Sequence, residues 1–147
     1  MNGLAAFFSA ILARLNMKSL QFGWSWKIQR TGYKKMVKWF KPGEVTGLSD
    51  ILIDRLDRMR EAAGIPLIIT CGLRTIKAND LVEGKPNSAH LSGLAADLAC
   101  PDSQTRFKLV LAAYQAGFRR IEVASAHIHV DIDETKPQDV MFMGVSK

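Results

Sequence analysis

The sequence has few cysteines and no long hydrophobic run. Cys71 and Cys100 are too few for a disulfide framework or a four-cysteine zinc site, and whether they pair is open. No apolar run reaches the roughly 20 residues needed to cross a bilayer. The chain has 147 residues, 48% of them hydrophobic and 23% charged, which is the composition of one globular domain that can bury a core without disulfide bonds.

Acidic side chains are absent from residues 1–43, which carry eight Lys or Arg. Residues 44–147 carry twelve basic and fourteen acidic side chains, so the net charge of +6 arises from the N-terminal third. Such a charge asymmetry indicates two regions with different roles. We therefore predict a basic, aromatic arm at residues 1–38 and a globular domain at residues 39–147.

The arm contains two local patterns. Residues 4–15 place apolar side chains at helical spacing, which predicts an amphipathic helix that lies on a membrane, on a partner or on the chain's own domain. Trp24, Trp26 and Ile28 alternate as in a short strand. Basic and aromatic residues together favour an anionic membrane or wall surface as partner. No helix-turn-helix or other readout motif accompanies the charge, which argues against nucleic acid. Residues 1–3 carry no charged side chain, which disfavours a secretory signal.

The remainder of the chain mixes helical and strand patterns. Thr46 is expected to cap a helix that runs to about Ala63, with Leu48, Leu52, Leu56 and Met59 facing inward. A second helix begins at residues 101–103 and ends near Gly117. Strands are expected at residues 67–70, 94–100, 120–123, 127–133 and 140–143, with a polar loop at 72–88. This order predicts an α+β fold with a small antiparallel sheet and flanking helices.

All three histidines lie within residues 90–129. Side chains in a strand repeat every two residues on one face. The strand predicted at residues 127–133 should therefore present four polar groups on the same side: His127, His129, Asp131 and Asp133. Asp97 lies in an apolar stretch, where a carboxylate is costly to bury unless it is paired or bound to a metal.

Two histidines and one carboxylate are a common ligand set for catalytic zinc, with a fourth position left for water. Gly93 would allow a tight turn between His90 and Asp97. Histidines also occur as ordinary core or surface residues, and a His-x-His pair alone does not distinguish these roles.

Two stretches resemble the motifs of zinc D-Ala-D-Ala carboxypeptidases and related phage endolysins. Residues 88–97 (SAHLSGLAAD) resemble the Ser-x-His-(six residues)-Asp motif, and residues 127–131 (HIHVD) resemble the second metal motif. Residues 68–75 (IITCGLRT), continued by Asn79, are similar to the strand and substrate-side loop of that family. Residues 39–44 (WFKPGE) are similar to the lead-in of many phage members.

The resemblance covers residues 39 to about 145 and implies the fold shared by these peptidases and the hedgehog signalling domain. It implies that His90, Asp97 and His129 bind zinc and that Arg74 and Ser88 hold the substrate. A guanidinium can donate two parallel hydrogen bonds to a carboxylate of a peptidoglycan stem peptide. The implied function is a zinc metallopeptidase that acts at the bacterial cell wall, as a carboxypeptidase or an endolysin-like endopeptidase.

The sequence departs from the family pattern at the expected general base. Many members have Asp or Glu three residues before the second zinc histidine, where this chain has Ala126. His127 and Asp131 are candidate catalytic residues by strand parity, and Glu122 by its proximity in the sequence. Asp131 is equally a candidate for holding a metal ligand in place.

Two other functions remain open from the sequence. Since Ala126 removes the expected base, a zinc-containing module that binds wall peptides without cleaving them is one alternative. A virion-associated structural protein that uses its basic arm is the other. The bond that is cut, the oligomeric state, the source of the chain and its route to the wall are not determined by the motifs.

Overall fold

A computed structural model describes residues 38–144. The helix expected at residues 4–15 and the strand expected at residues 24–28 lie outside the described residues. The expected binding of this part of the arm to an anionic membrane or wall surface therefore stays a prediction. In the part of the chain that is described, no helix combines the length and the apolarity required to span a membrane.

The first helix, α1, spans Asp50–Ala63 and begins later than the sequence predicted. The hydroxyl of Ser49 caps it by accepting a hydrogen bond from the Leu52 amide at 3.3 Å. Thr46 is not the cap, because its hydroxyl donates to the Pro42 carbonyl at 3.0 Å and Gly47 then turns the chain with a φ of 77°. Gly64 ends the helix in the left-handed conformation, as expected from a C-terminal glycine. The four side chains predicted to face inward are buried: Leu48, Leu52, Leu56 and Met59.

The other long helix, α3, spans Ser103–Gln115 and agrees with the prediction. The Asp102 carboxylate accepts a hydrogen bond from the Thr105 amide at 2.8 Å, which caps its first turn. Helices α1 and α3 pack against each other, and their buried side chains form the core together with one face of the sheet.

A short helix, α2, at Ile76–Leu81 was not predicted, since residues 72–88 were expected to form a polar loop. Thr75 caps it through a hydrogen bond from the Ala78 amide at 3.2 Å. The helix lacks an inward apolar stripe because Ile76 and Leu81 are exposed, whereas the polar Asn79 is buried. Its sequence therefore carries no amphipathic signal.

Five strands form one sheet: β1 (Ile69–Cys71), β2 (Ala95–Ala99), β3 (Arg120–Val123), β4 (His127–Asp131) and β5 (Val140–Met143). Their order is β1-β2-β4-β3-β5. All neighbours are antiparallel except β3 and β5. The predicted α+β fold with a mostly antiparallel sheet is confirmed. β5 pairs on the outer edge of β3, because β2 and β3 already occupy both edges of β4. The chain reverses direction after β4, which is antiparallel to β3, so β5 runs parallel to β3.

The alternation of side chains along the strands separates the core from a polar face. Leu98, Ile121, Ile128 and Val130 are buried in the core. The residues between them point to the other face, where they line a common cavity: Asp97, Arg120, Glu122, His127, His129 and Asp131. The polar face of the sheet therefore carries the candidate site.

Candidate metal centre and substrate cavity

Three side-chain atoms converge on the polar face of the sheet. The distance from His129 Nδ1 to Asp97 Oδ1 is 2.8 Å, and His90 Nε2 lies 3.1 Å from His129 Nδ1 and 3.2 Å from Asp97 Oδ1. Asp97 and His129 are register partners on β2 and β4. His90 approaches from a 3-10 turn at Ala89–Ser92. The structure therefore brings together the two histidines and the carboxylate that the motifs suggested.

The orientation of His90 is set by the backbone of the preceding loop. Its Nδ1 lies 2.8 Å from the carbonyl oxygen of Gly72, so that Nδ1–H donates to this oxygen and Nε2 keeps its lone pair. Gly93 closes the turn after His90 with a φ of 66°. A side chain at this position would meet the Gly47 carbonyl oxygen, which an added Cβ would approach to 2.1 Å. Gly93 thus provides the tight turn expected between His90 and Asp97.

The orientation of His129 depends on a buried carboxylate. Its Nε2 lies 3.3 Å from Oδ2 of Asp131, which is 2% exposed. The same oxygen accepts a hydrogen bond from Nε of Arg120 at 3.0 Å, and Asp131 Oδ1 accepts one from the Asp133 amide at 3.1 Å. With Nε2–H directed at Asp131, the Nδ1 lone pair of His129 faces Asp97. A carboxylate behind a metal-binding histidine is a common arrangement that fixes the tautomer and orientation of the ring.

The converging atoms fit a zinc ion. Two imidazole lone pairs and one carboxylate oxygen repel one another at these distances unless a cation or a proton lies among them. Zinc bonds of about 2.0–2.2 Å to nitrogen and oxygen place tetrahedral ligands about 3.3–3.6 Å apart. The observed separations of 2.8–3.2 Å lie a little below that range. The donor set of two nitrogens and one oxygen is also one that zinc prefers.

Cys71 offers a second possible set with two of the same residues. Cys71, His90 and Asp97 can each direct one ligand atom within 4.8 Å of the others. However, Cys71 Sγ lies 3.8 Å from Nδ1 of His90, the nitrogen that faces the Gly72 carbonyl. The opposite nitrogen of the same ring faces Asp97 and His129. The set that includes His129 is therefore better arranged around one ion.

The three atoms lie in a cavity of about 570 Å³. Its lining includes the two predicted substrate-binding residues, Arg74 and Ser88, and the candidate bases Glu122, His127 and Asp131. The volume falls within the usual range of about 300–1,000 Å³ for ligand sites. The cavity is large enough to admit a peptide segment next to the three converging atoms.

Arg74 is held beside the Asp97 carboxylate, one of the three converging groups. One guanidinium nitrogen lies 3.6 Å from Asp97 Oδ2 and 3.1 Å from Cys71 Sγ, and the other terminal nitrogen lies 3.4 Å from Asn79 Oδ1. Asn79 is 1% exposed, and its side-chain nitrogen donates to the Lys85 carbonyl at 3.1 Å. Helix α2 therefore fixes both Arg74 and the loop that forms one wall of the cavity.

The sequence profile of the family described as Peptidase M15 matches residues 25–131. The chain belongs to this family. The match confirms the resemblance to zinc D-Ala-D-Ala carboxypeptidases, and the family is one of peptidases. The matched range begins within the predicted arm and ends with β4. The motif resemblance was instead placed at residues 39 to about 145. None of the curated proteins matches the sequence.

Two features of this M15 site were not anticipated from the sequence. Arg120 was not singled out, although it lies opposite Asp131 in the register of β3 and β4. Its alternation with Glu122 along β3 is the signal that would have placed it on the polar face. Asp133 was expected in the same row as Asp131, but β4 ends at Asp131. Asp133 instead accepts hydrogen bonds from Thr135 and organises the following turn.

Zinc binding to this M15 site is expected to release protons at neutral pH. Burial of His90 opposes its charged form, but hydrogen bonds to Asp97 and Cys71 outweigh burial and raise the pKa of His90 to about 9. Burial also opposes charge on His129, and its hydrogen bonds to Asp131 and Asp97 raise its pKa. Both imidazoles must be neutral to bind zinc, so apparent zinc affinity should fall as pH decreases below about 9.

For each proton that zinc displaces, the dissociation constant should rise about tenfold when the pH falls by one unit. Zinc titration against a competing chromophoric chelator from pH 6 to 8 measures the slope, and calorimetry in two buffers of different ionisation enthalpy counts the protons. An affinity that does not change between pH 6 and 8 would contradict this prediction.

Proposed function

We propose that the chain is a zinc metallopeptidase that hydrolyses peptide bonds in peptidoglycan stem peptides. The observation that carries this proposal is the convergence of His90 Nε2, Asp97 Oδ1 and His129 Nδ1 within 3.2 Å of one another, in a cavity that also contains Arg74. Peptidases of this family are generally zinc-dependent, which supports zinc as the ion.

Arg74 and Ser88 are the residues that we assign to substrate binding. The Arg74 guanidinium lies 3.6 Å from the second oxygen of Asp97, so an oxygen atom of the substrate bound to it would lie close to the metal ligands. The planar guanidinium suits the carboxylates that stem peptides carry, and it also suits the carbonyl of the cleaved bond. Zinc, when bound, supplies a Lewis acid that activates water and polarises the carbonyl.

We assign to Asp131 the role of orienting His129 rather than that of transferring a proton. Its carboxylate accepts from His129, Arg120 and the Asp133 amide, and it is almost fully buried. Burial opposes its charged form, but the hydrogen bonds to His129 and Arg120 outweigh burial and lower its pKa. A carboxylate with these contacts has little capacity to accept a proton from water. His127 and Glu122 remain as candidate bases that line the cavity.

One observation favours the alternative of a binding module that retains zinc without hydrolysis. The residue three positions before His129 is Ala126, which is exposed and carries no proton acceptor. Such a module would bind zinc and wall peptides with the same residues. The alternative fails if purified protein releases D-alanine or free amino groups from wall fragments.

The test of the proposal is hydrolysis by purified protein before and after metal removal. Zinc-loaded protein should release D-alanine from uncross-linked fragments if it is a carboxypeptidase, or new amino groups from cross-linked fragments if it is an endopeptidase. Dialysis against a chelator should abolish the release, and one equivalent of zinc should restore it. Full hydrolysis by protein shown to contain no metal would refute zinc dependence, and stoichiometric zinc without hydrolysis would favour the binding module.

A further inference from the structure

The M15 site lacks a proton acceptor at the position where many family members have one. Ala126 lies in the connection between β3 and β4, three residues before His129. We propose that Glu122 on β3 supplies the missing carboxylate and is the general base of the reaction. This inference rests on the proposed peptidase function and names the residue that transfers the proton.

The register of the sheet places Glu122 next to a metal-binding residue. On β4, His129 pairs with Asp97 of β2 on one side and with Glu122 of β3 on the other. Side chains directly opposite each other on neighbouring antiparallel strands have Cβ atoms about 4.5–5.5 Å apart. Glu122 therefore extends the row of functional side chains across the polar face, and it lines the same cavity as the metal-binding atoms.

The carboxylate of Glu122 lies beside Gly144, the residue that follows β5. A Cβ added to Gly144 would lie 2.5 Å from Glu122 Oε1 and 2.9 Å from the Cβ of Ala124. Gly144 therefore leaves room for the Glu122 carboxylate, because any larger side chain would occupy the same space.

Glu122 is available for proton transfer in a way that Asp131 is not. Within residues 38–144, its carboxylate has no hydrogen-bond or ion-pair partner. The nearest cation on its own strand, Arg120, donates instead to Asp131 and to the Pro137 carbonyl. On β4, His127 lies one row further from the metal-binding row and pairs with Ala99. On β5, the register partner of Glu122 is Phe142, which carries no charge.

In the proposed step, the oxygen of a water molecule forms a bond to the carbonyl carbon of the substrate amide, and the C=O π bond opens so that its electron pair moves to the carbonyl oxygen. The water O–H bond breaks, and Glu122 accepts the proton. The C=O double bond then re-forms and the C–N bond breaks, as Glu122 returns the proton to the leaving nitrogen. The products are a carboxylic acid and an amine, so Glu122 ends the cycle deprotonated as it began.

The decisive variant is Glu122→Gln, which keeps the shape and removes the proton acceptor. Its kcat should fall by about 10²–10⁴-fold, the usual contribution of a general base. Its zinc content and melting temperature should match those of the unsubstituted protein. Glu134→Gln, an equal change at an exposed residue outside the cavity lining, should keep kcat within about twofold. Glu122→Asp, with a shorter reach, should give an intermediate rate.

Relocating the carboxylate supplies a readout that a structural role of Glu122 would not produce. Adding Ala126→Glu to Glu122→Gln places a carboxylate where many family members have one, and we expect at least a tenfold recovery of kcat. The proposal is overturned if zinc-loaded Glu122→Gln cleaves wall peptides at the unsubstituted rate, or if only His127→Asn causes the loss. In both cases the peptidase function would stand. An unsubstituted protein that binds zinc but cleaves nothing would contradict both the peptidase function and the role of Glu122 as general base.

Discussion

Replacing Asp97 by Ala is expected to lower zinc affinity by more than about 100-fold and to reduce hydrolysis to background. Removing a group that only orients a ligand typically costs 10–100-fold in affinity, and we propose Asp97 as a ligand itself. Its Oδ1 lies 2.8 Å from His129 Nδ1 and 3.2 Å from His90 Nε2. Without it, two neutral imidazoles remain and none of the proposed ligands carries a negative charge. Competitive zinc titration and the wall-fragment assay measure the two effects.

Two controls distinguish this prediction from a general loss of structure and from another ligand set. Asp80→Ala removes an exposed carboxylate that does not line the cavity, and it should leave both measurements unchanged. Cys71→Ser should keep zinc affinity within a few-fold, whereas His129→Ala should lose it. The reverse pattern, with loss in Cys71→Ser and retention in His129→Ala, would show that the thiol is the third ligand.

Replacing Arg74 by Met should reduce kcat/KM by about 10²–10³-fold, the effect of removing a donor aimed at the reacting oxygen. The apolar side chain is of similar length but offers neither charge nor hydrogen bonds. Arg74→Lys should recover only part of the activity, because a lysine is a point charge that cannot donate a planar pair of hydrogen bonds. Steady-state kinetics on a defined stem peptide measure the change.

Zinc content separates this role of Arg74 from a contribution to the metal site. The guanidinium lies 3.6 Å from Asp97 Oδ2, outside the three converging atoms, so Arg74→Met should bind one zinc with affinity within about tenfold of the original. Arg58→Met, which removes an exposed arginine paired with Asp54, should not change the kinetics. Unchanged kcat/KM in Arg74→Met would contradict a substrate-binding role.

Local patterns in the sequence determined several elements of the fold. The strands at residues 120–123 and 140–143 have the predicted bounds, because a short run between turn residues leaves little freedom of assignment. The start of α1 was misplaced since Thr46 and Ser49 are both suitable caps, and only the contact of Thr46 with Pro42 decides between them. Helix α2 was missed because it buries a polar residue and exposes its apolar ones.

The residues of the candidate site were accessible to sequence reasoning to different degrees. His90, Asp97 and His129 were found because motif spacing and strand parity limit which side chains can meet. The partner of Asp131 was not found, because Arg120 belongs to no recognised motif and only the register of β3 and β4 places it opposite Asp131. Asp131 itself was left with two possible roles, and its burial among three hydrogen bonds favours holding His129.

The sequence alone determined the α+β class and the membership in a peptidase family, and it supplied the three groups that we propose as zinc ligands, because these depend on residue type, order and periodicity. The tertiary structure decided which ring nitrogen of each histidine is directed toward Asp97. It also decided that β5 runs parallel to β3 and that Glu122 lies opposite His129 in the sheet. These features depend on strand register and on contacts between distant segments. Periodicity assigns a side chain to a face of a strand, but it does not specify which side chain of another strand lies opposite.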